Sequence, residues 1–190
     1  MKRHIPVLII IMAVAIPASA IDKGFYVGGG IGVASFDVAD FYEDYQPLLF
    51  EEGNPGFKFF GGYRILRYLG VELGYTDYGT VIKHEELRPV GNQSLSVGIN
   101  QWDASVLGML PLGKKISLYA KVGAASWDTD VIAENGPDTE DLSSSGTDLT
   151  YGLGLDLLFK KVGMRVETGW VDIPDTTGVM LVSFNLTYNF

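Results

Sequence analysis

The chain has no cysteine, so no disulfide frame holds it together, and a lipid-anchored N-terminal cysteine is not expected. Basic residues are scarce, 14 Lys and Arg against 23 Asp and Glu, giving a formal charge of −9. A chain this acidic lacks the cationic footprint that phosphates require, and no nucleic-acid partner is expected. Beyond the N-terminus there is no apolar run of the roughly 20 residues that a membrane-crossing helix needs. Helical periodicity is also missing. Glycine (24 residues) and aromatics recur instead in alternating segments, an all-β pattern.

The two ends carry the most specific signals. Met1-Lys2-Arg3-His4 is basic, Ile5 to Ala18 is apolar, and Ala18-Ser19-Ala20 is a small-residue cleavage pattern. That order predicts a cleaved secretory signal over 1–20 and one mature domain over 21–190, with a formal charge of −11. At the other end Val182, Phe184, Leu186, Tyr188 and Phe190 alternate with Ser183, Asn185, Thr187 and Asn189. Successive side chains of a strand point to opposite faces. One face of this strand is therefore oily and the other polar, as in the last strand of an outer-membrane barrel.

Eight segments read as strands: Gly24–Phe36, Gly56–Ile65, Leu69–Thr80, Gly98–Leu112, Ile116–Asp128, Asp148–Phe159, Val162–Val171 and Val179–Phe190. Each is close to the 9–11 residues of a tilted membrane strand. Connections after the second, fourth and sixth are tight, and those after the first, third and fifth are long and polar. Eight antiparallel strands with this alternation predict an up-and-down transmembrane barrel. Charge follows the same division. Acids from Asp37 to Glu52, at Glu85 and Glu86, and from Asp128 to Asp148 fall at the long-loop end. The short-turn end holds Arg64, Arg67, Lys114, Lys115, Lys160 and Lys161.

The strand faces give the orientation. Leu149, Tyr151, Leu153, Leu155 and Leu157 oppose Thr150, Gly152, Gly154 and Asp156, and other strands repeat this contrast. The minority face combines glycines with Lys58, Glu72, Asp103, Lys121, Asp156, Arg165 and Glu167. Facing lipid at midplane, a Lys or Arg costs about 2–4 kcal/mol. Placed inside and paired, these charges are tolerable. The predicted barrel is thus apolar outside and polar inside, the reverse of a soluble barrel.

No catalytic constellation stands out. His84 is the single histidine after the signal, with Ser94 and Ser96 on the same long connection, and it reads as a solvated loop residue. The run Gly28, Gly29, Gly30 and Gly32 lacks the Lys-Ser/Thr ending and the following helix of a phosphate loop. Asp138, Glu140 and Asp141 lack the spacing of a calcium loop. No enzyme activity, cofactor or specific metal is expected. Diffuse attraction of the divalent cations that bridge surface lipopolysaccharide suits these acids. Phe41, Tyr42, Tyr45, Leu48, Leu49 and Phe50 make the first long loop amphipathic, fit either to dock a partner or to fold over the rim.

Several motifs, in order, carry a family resemblance. Phe25-Tyr26-Val27-Gly28-Gly29-Gly30-Ile31-Gly32 is similar to a first strand. Gly61-Gly62-Tyr63-Arg64 through Val71-Glu72-Leu73-Gly74-Tyr75 is similar to a second hairpin. Tyr119-Ala120-Lys121-Val122-Gly123-Ala124, Met164-Arg165-Val166-Glu167 and Tyr188-Asn189-Phe190 resemble strands five, seven and eight. The whole mature chain resembles the OmpA-like outer-membrane β-barrel family. The resemblance implies an interior salt-bridge network that blocks the lumen, with Glu72, Asp156 and Arg165 among its members. The family's interior Lys on strand four is replaced here by Leu107. It also implies that Val182, Phe184, Leu186, Tyr188 and Phe190 are read by the barrel-assembly machinery. No peptidoglycan-gripping region is carried over.

The expectation is therefore a monomeric Gram-negative outer-membrane barrel, in contact with lipid and lipopolysaccharide and with both mature termini periplasmic. Its role is structural and loop-displaying, with at most a minor pore. The competing readings are an adhesin whose acidic loops bind a host or surface ligand, and a rim enzyme acting on lipid A.

Overall fold

A computed structural model describes residues 23–35, 53–87, 91–135, 138–174 and 178–190, with side chains outside 81–95 and 131–142. The expected signal segment and the amphipathic first loop lie outside the described residues. The strands are β1 (Gly24–Ser35), β2 (Asn54–Leu66), β3 (Leu69–Leu87), β4 (Gly91–Pro111), β5 (Ile116–Asn135), β6 (Asp138–Phe159), β7 (Val162–Val171) and β8 (Val179–Asn189). Each pairs antiparallel with its neighbours, and β8 returns to β1 to close the barrel. The seam runs from Tyr26 opposite Asn189 to Ser35 opposite Met180, and the Phe190 N–H donates to the Phe25 carbonyl at 3.0 Å. Closure leaves no open strand edge where the wall meets hydrocarbon.

Period-two alternation sorts the side chains. Phe25, Ile31, Leu73, Trp102 and Leu153 stand outward, with Ile31 73% exposed, while Tyr26, Glu72, Lys121 and Arg165 are buried inward. A soluble protein with these faces would present most of its large apolar groups to water, so the outer wall is a lipid-facing one. Inside, glycines make room for large neighbours. A Cβ on Gly154 would lie 2.4 Å from the Tyr119 hydroxyl, and one on Gly62 would lie 2.4 Å from the Tyr26 ring.

The sequence reading is corrected at three places. The long connections after the third and fifth strands are mostly strand: β3 pairs with β4 out to Leu87 opposite Gly91, and β5 with β6 out to Asn135 opposite Asp138. Because β4 and β5 also pair out to Gln93 opposite Asn135, the four strands continue as one sheet. Pairing of β2 with β3 stops at Asp77, and pairing of β6 with β7 begins at Thr150. The extension is held by its backbone ladder, so a polar composition that reads as loop is compatible with strand. A bulge between Asp77 and Thr80 marks the departure of β3 from β2. There Gly79 takes φ +77°, and its N–H donates to Asp77 Oδ1 at 2.7 Å. The second correction is Arg64, which is buried rather than on the rim, since it shares the inward face of β2 with Lys58 and Phe60.

The third correction concerns the interior, which is not uniformly polar. Tyr78, Val97, Ile99, Trp127, Val171, Ile173, Val179 and Leu181 form a buried apolar layer at the long-connection end. Leu107, Met109 and Tyr119 form a smaller one toward the short turns. Most of the charges lie between them, while Arg64, opposite Gly70, and Asp156, opposite Ser117, reach the short-turn side.

Nitroxide labels at Leu153→Cys and Ser145→Cys, on the same outward face of β6, test the boundary. The cysteine-free background makes the labelling specific. The label at 153 should be relaxed mainly by oxygen dissolved in the lipid, and the label at 145 by a water-soluble nickel chelate. A wet label at 153 would remove the lipid-facing wall.

Candidate functional site

The inward residues converge on two carboxylate-centred clusters. Arg165 on β7 donates from Nε to Asp156 Oδ1 at 2.8 Å and from Nη2 to Asp156 Oδ2 at 3.3 Å, a two-pronged contact. Its Nη1 reaches Glu72 Oε2 at 2.6 Å, and the Tyr26 hydroxyl donates to the same oxygen at 3.0 Å. The guanidinium lies 4.5 Å from the Phe60 ring centre and 4.6 Å from that of Tyr119. Such faces attract a desolvated cation. Glu167, two residues on, accepts from Lys58, from the Tyr119 hydroxyl, and from Lys121 at 2.8 Å.

Weaker contacts join the clusters. Arg165 Nη1 lies 3.8 Å from Glu167 Oε2, and Lys121 Nζ lies 3.9 Å from Glu72 Oε1. Arg64 extends the set toward the short turns, reaching Asp156 at 3.9 Å, donating to Asn189 Oδ1 and resting over Tyr26. Asp103 lies on the same inner face outside these ion pairs and accepts from the Ser105 hydroxyl at 3.0 Å.

All seven charged residues singled out from the sequence are buried, and six of them share the ion-paired network. Arg64 was missed as an interior residue, although its even number on β2 matches that of Lys58. With it, the buried charges are Lys58, Arg64, Lys121 and Arg165 against Glu72, Asp103, Asp156 and Glu167, a formal balance. Leu107, where the resemblance calls for a Lys, is fully buried beside Met109 and Tyr119. Lys58 from β2 and Lys121 from β5 supply cations at Glu167 instead. The terminal residues Val182, Phe184, Leu186, Tyr188 and Phe190 all point outward, 41–71% exposed. The arrangement offers no activated nucleophile. It cross-links opposite walls and fills the lumen, as an eight-strand barrel's narrow interior allows.

Arg165→Met should lower stability in lipid vesicles by about 3–5 kcal/mol, because it strands buried carboxylates. Tryptophan fluorescence against urea reads the change. The double variant R165M/E72Q should be less unstable than the sum of the two singles. Strict additivity would mean that the pair is not coupled.

Residues 7–190 match the family described as outer membrane protein beta-barrel domain. Outer membrane protein A of Escherichia fergusonii is 22% identical over 179 residues, which cover 89% of this chain and 49% of that protein. The chain thus spans about half the length of the curated relative it matches. Among solved structures, Ail, the attachment invasion locus protein of Yersinia pestis, superposes with a TM-score of 0.60 at 16% identity, covering 90% of this chain and 100% of Ail. The N-terminal β-barrel domain of Pseudomonas aeruginosa OprF gives 0.56 at 13% identity, covering 89% and 100%. Neisserial surface protein A gives 0.55 at 15% identity, covering 88% and 97%. At these identities the likeness establishes the fold, a closed outer-membrane barrel of the Gram-negative type. The family match runs over every strand of that barrel, and the chain belongs to the outer membrane protein beta-barrel domain family.

Proposed function

We propose that this protein is a structural, non-conducting barrel that carries the β3–β6 extension and the first loop on the cell surface. The observation that carries the reading is the filled interior: four buried cations against four buried carboxylates, with an apolar layer at the long-connection end and a smaller apolar group toward the short turns, and Arg165 only 1% exposed. An ion crossing it would have to displace paired groups and pass the apolar layer at the long-connection end. Residues 1–20 act as the export signal, the short turns and both mature termini face the periplasm, and the barrel inserts as a monomer. Its outward terminal strand, Val182 through Phe190, serves as the signature for the assembly machinery. Lipid and lipopolysaccharide surround the wall.

A second reading, adhesion or ligand binding, is supported by the extension. Four paired strands rising past β2 and β7 form a stiffer platform than free loops. Glu85, Glu86, Asp128, Asp130, Glu134, Asp138, Glu140 and Asp141 lie on it, opposed within it by Lys83. The Ail structure is a complex with the heparin analogue sucrose octasulfate. A sulfated ligand suits this acidic platform poorly, and a cationic surface or peptide suits it better.

The backbone register places Ser94 opposite His84, and Glu134 opposite Ser94.

Planar-bilayer recordings should give negligible steady conductance, and large stable openings would remove the sealed-barrel reading. Replacing 131–142 and 84–94 with short turns should abolish cell or ligand adhesion while the barrel keeps its heat-shifted gel mobility. Undiminished adhesion in that variant would leave the surface role without its platform.

A further inference from the structure

Where the extension leaves the barrel it has two outer strands, and their edges differ. On one flank β3 parts from β2 after Asp77 through a bulge, with Gly79 at φ +77°, and Lys83 follows on the departing strand. Bulges and lysines are common guards of a free edge. On the other flank β6 carries neither. It runs in unbroken register with β5 from Leu157 opposite Ile116 to Asp138 opposite Asn135. Between Asp138 and Leu149 the sequence holds no proline, lysine or arginine. Pairing with β7 begins at Thr150, and among the described residues no other strand pairs with β6 above that point.

Parity identifies the unused backbone groups. The Leu158 N–H donates to the Lys115 carbonyl at 2.8 Å, toward β5, and the Leu149 carbonyl accepts from the Asp172 N–H at 3.0 Å, toward β7. In an antiparallel ladder a residue turns both backbone groups to one neighbour, and the direction alternates along the strand. Even residues of β6 therefore bond to β5, while Ser143, Ser145 and Thr147 turn N–H and C=O away from it. Their side chains are small and exposed. The connection to β8 starts at Asp172, tied to Leu149, and ends at Gly178, next to Val179, which pairs with Val171. At no more than about 3.6 Å per residue, so short a connection cannot climb an edge on the order of 35 Å long and return. From the lumen side the strand is braced. Trp127 donates its indole N–H to Asp148, and its ring covers Gly146, where a Cβ would lie 2.6 Å from it.

We infer that the β6 edge from Asp138 to Thr147 is a docking site for an extended segment of another protein bearing Lys or Arg, which joins the sheet as a further strand. The inference rests on the reading of the extension as a surface platform, and it names the part of that platform that binds. The contact comes from backbone pairing along a straight, braced edge, the mode in which main-chain hydrogen bonds supply affinity. Charge selects the occupant. Asp138, Glu140 and Asp141 are the charged residues of this stretch. A second copy of the same edge would set acid against acid, which is unfavourable across a strand pair, whereas opposite charges there are favourable.

The test uses the full chain folded in phosphatidylcholine nanodiscs and a fluorescent, end-capped peptide of about five Lys-Thr repeats, matched to the length of the edge. A second peptide has the same sequence and charge but is N-methylated at alternate residues, so that one of its edges has no donors. Fluorescence anisotropy should show the plain peptide binding and the methylated one binding about tenfold more weakly, the effect of losing one or two net hydrogen bonds. Ser145→Pro removes an outward donor without touching the β5 ladder, and it should weaken the plain peptide to a similar degree. Heat-shifted gel mobility confirms that this variant is folded. Hydrogen exchange should slow on binding at the amides of Ser143, Ser145 and Thr147 and stay unchanged at Ser144, which already bonds to β5. Absence of binding, equal affinity for the two peptides, full affinity in the proline variant, or exchange that ignores this alternation overturns the edge site. Cell adhesion that depends on the extension while these amides stay unprotected would keep the platform and lose the edge. Protected amides with adhesion indifferent to the extension would do the reverse.

Discussion

Arg165 sits where the demands of the barrel meet. A wall that turns its apolar side chains to lipid must turn everything else inward, and an eight-strand cylinder gives that remainder little room. The interior charges are then tolerable only if each is matched and hydrogen-bonded. Arg165 meets both conditions through Asp156 and Glu72, between the Phe60 and Tyr119 rings. The glycines at 62 and 154 follow from the same demand, because the tyrosines that donate to Glu72 and Glu167 occupy the space their side chains would need.

The two ends of the cylinder differ because they meet different surroundings. Toward the extension the lumen is capped by Trp127, Ile99 and Val171, and Trp127 donates its indole N–H to Asp148 at 2.7 Å. Toward the short turns, Arg64 rests against Tyr26 and pairs with Asn189. Outside, acids crowd one end and lysines the other. A barrel that is neutral within and strongly polarised along its axis has a defined orientation toward charged partners at either face.

Much of this was legible in the sequence, for a physical reason. Period-two alternation in a membrane wall has a large amplitude, with Leu against Gly or Asp, so strand identity and facing could be read from residues such as Leu153 and Asp156. The partners could not. Lys58 is joined to Glu167 across 109 residues of chain, and that pairing depends on the stagger of strands around the cylinder, which no local pattern encodes. The upper ends of β3–β6 were illegible for the opposite reason. Beyond the lipid no oily face is required, and Ser143, Ser144 and Ser145 look like loop while pairing fully with β5. Arg64 was misassigned because nearness to a turn outweighed its parity on the strand.

The seam between β1 and β8 has a kinetic corollary. Most charged links connect walls far apart in the chain: Arg165 with Glu72 across 93 residues, Arg64 with Asn189 across 125. None of these long-range links can form while the sheet is an open ribbon, so during insertion most inward charges remain hydrated and apart, the neighbouring-strand pair of Arg165 with Asp156 excepted. Joining the first strand to the last expels that water and completes the cross-barrel pairs together. Long-range contacts of this kind form slowly, and once made they must all be lost together for the cylinder to reopen. The final strand therefore acts as a latch, converting a loosely held hydrated sheet into a dry, kinetically trapped cylinder.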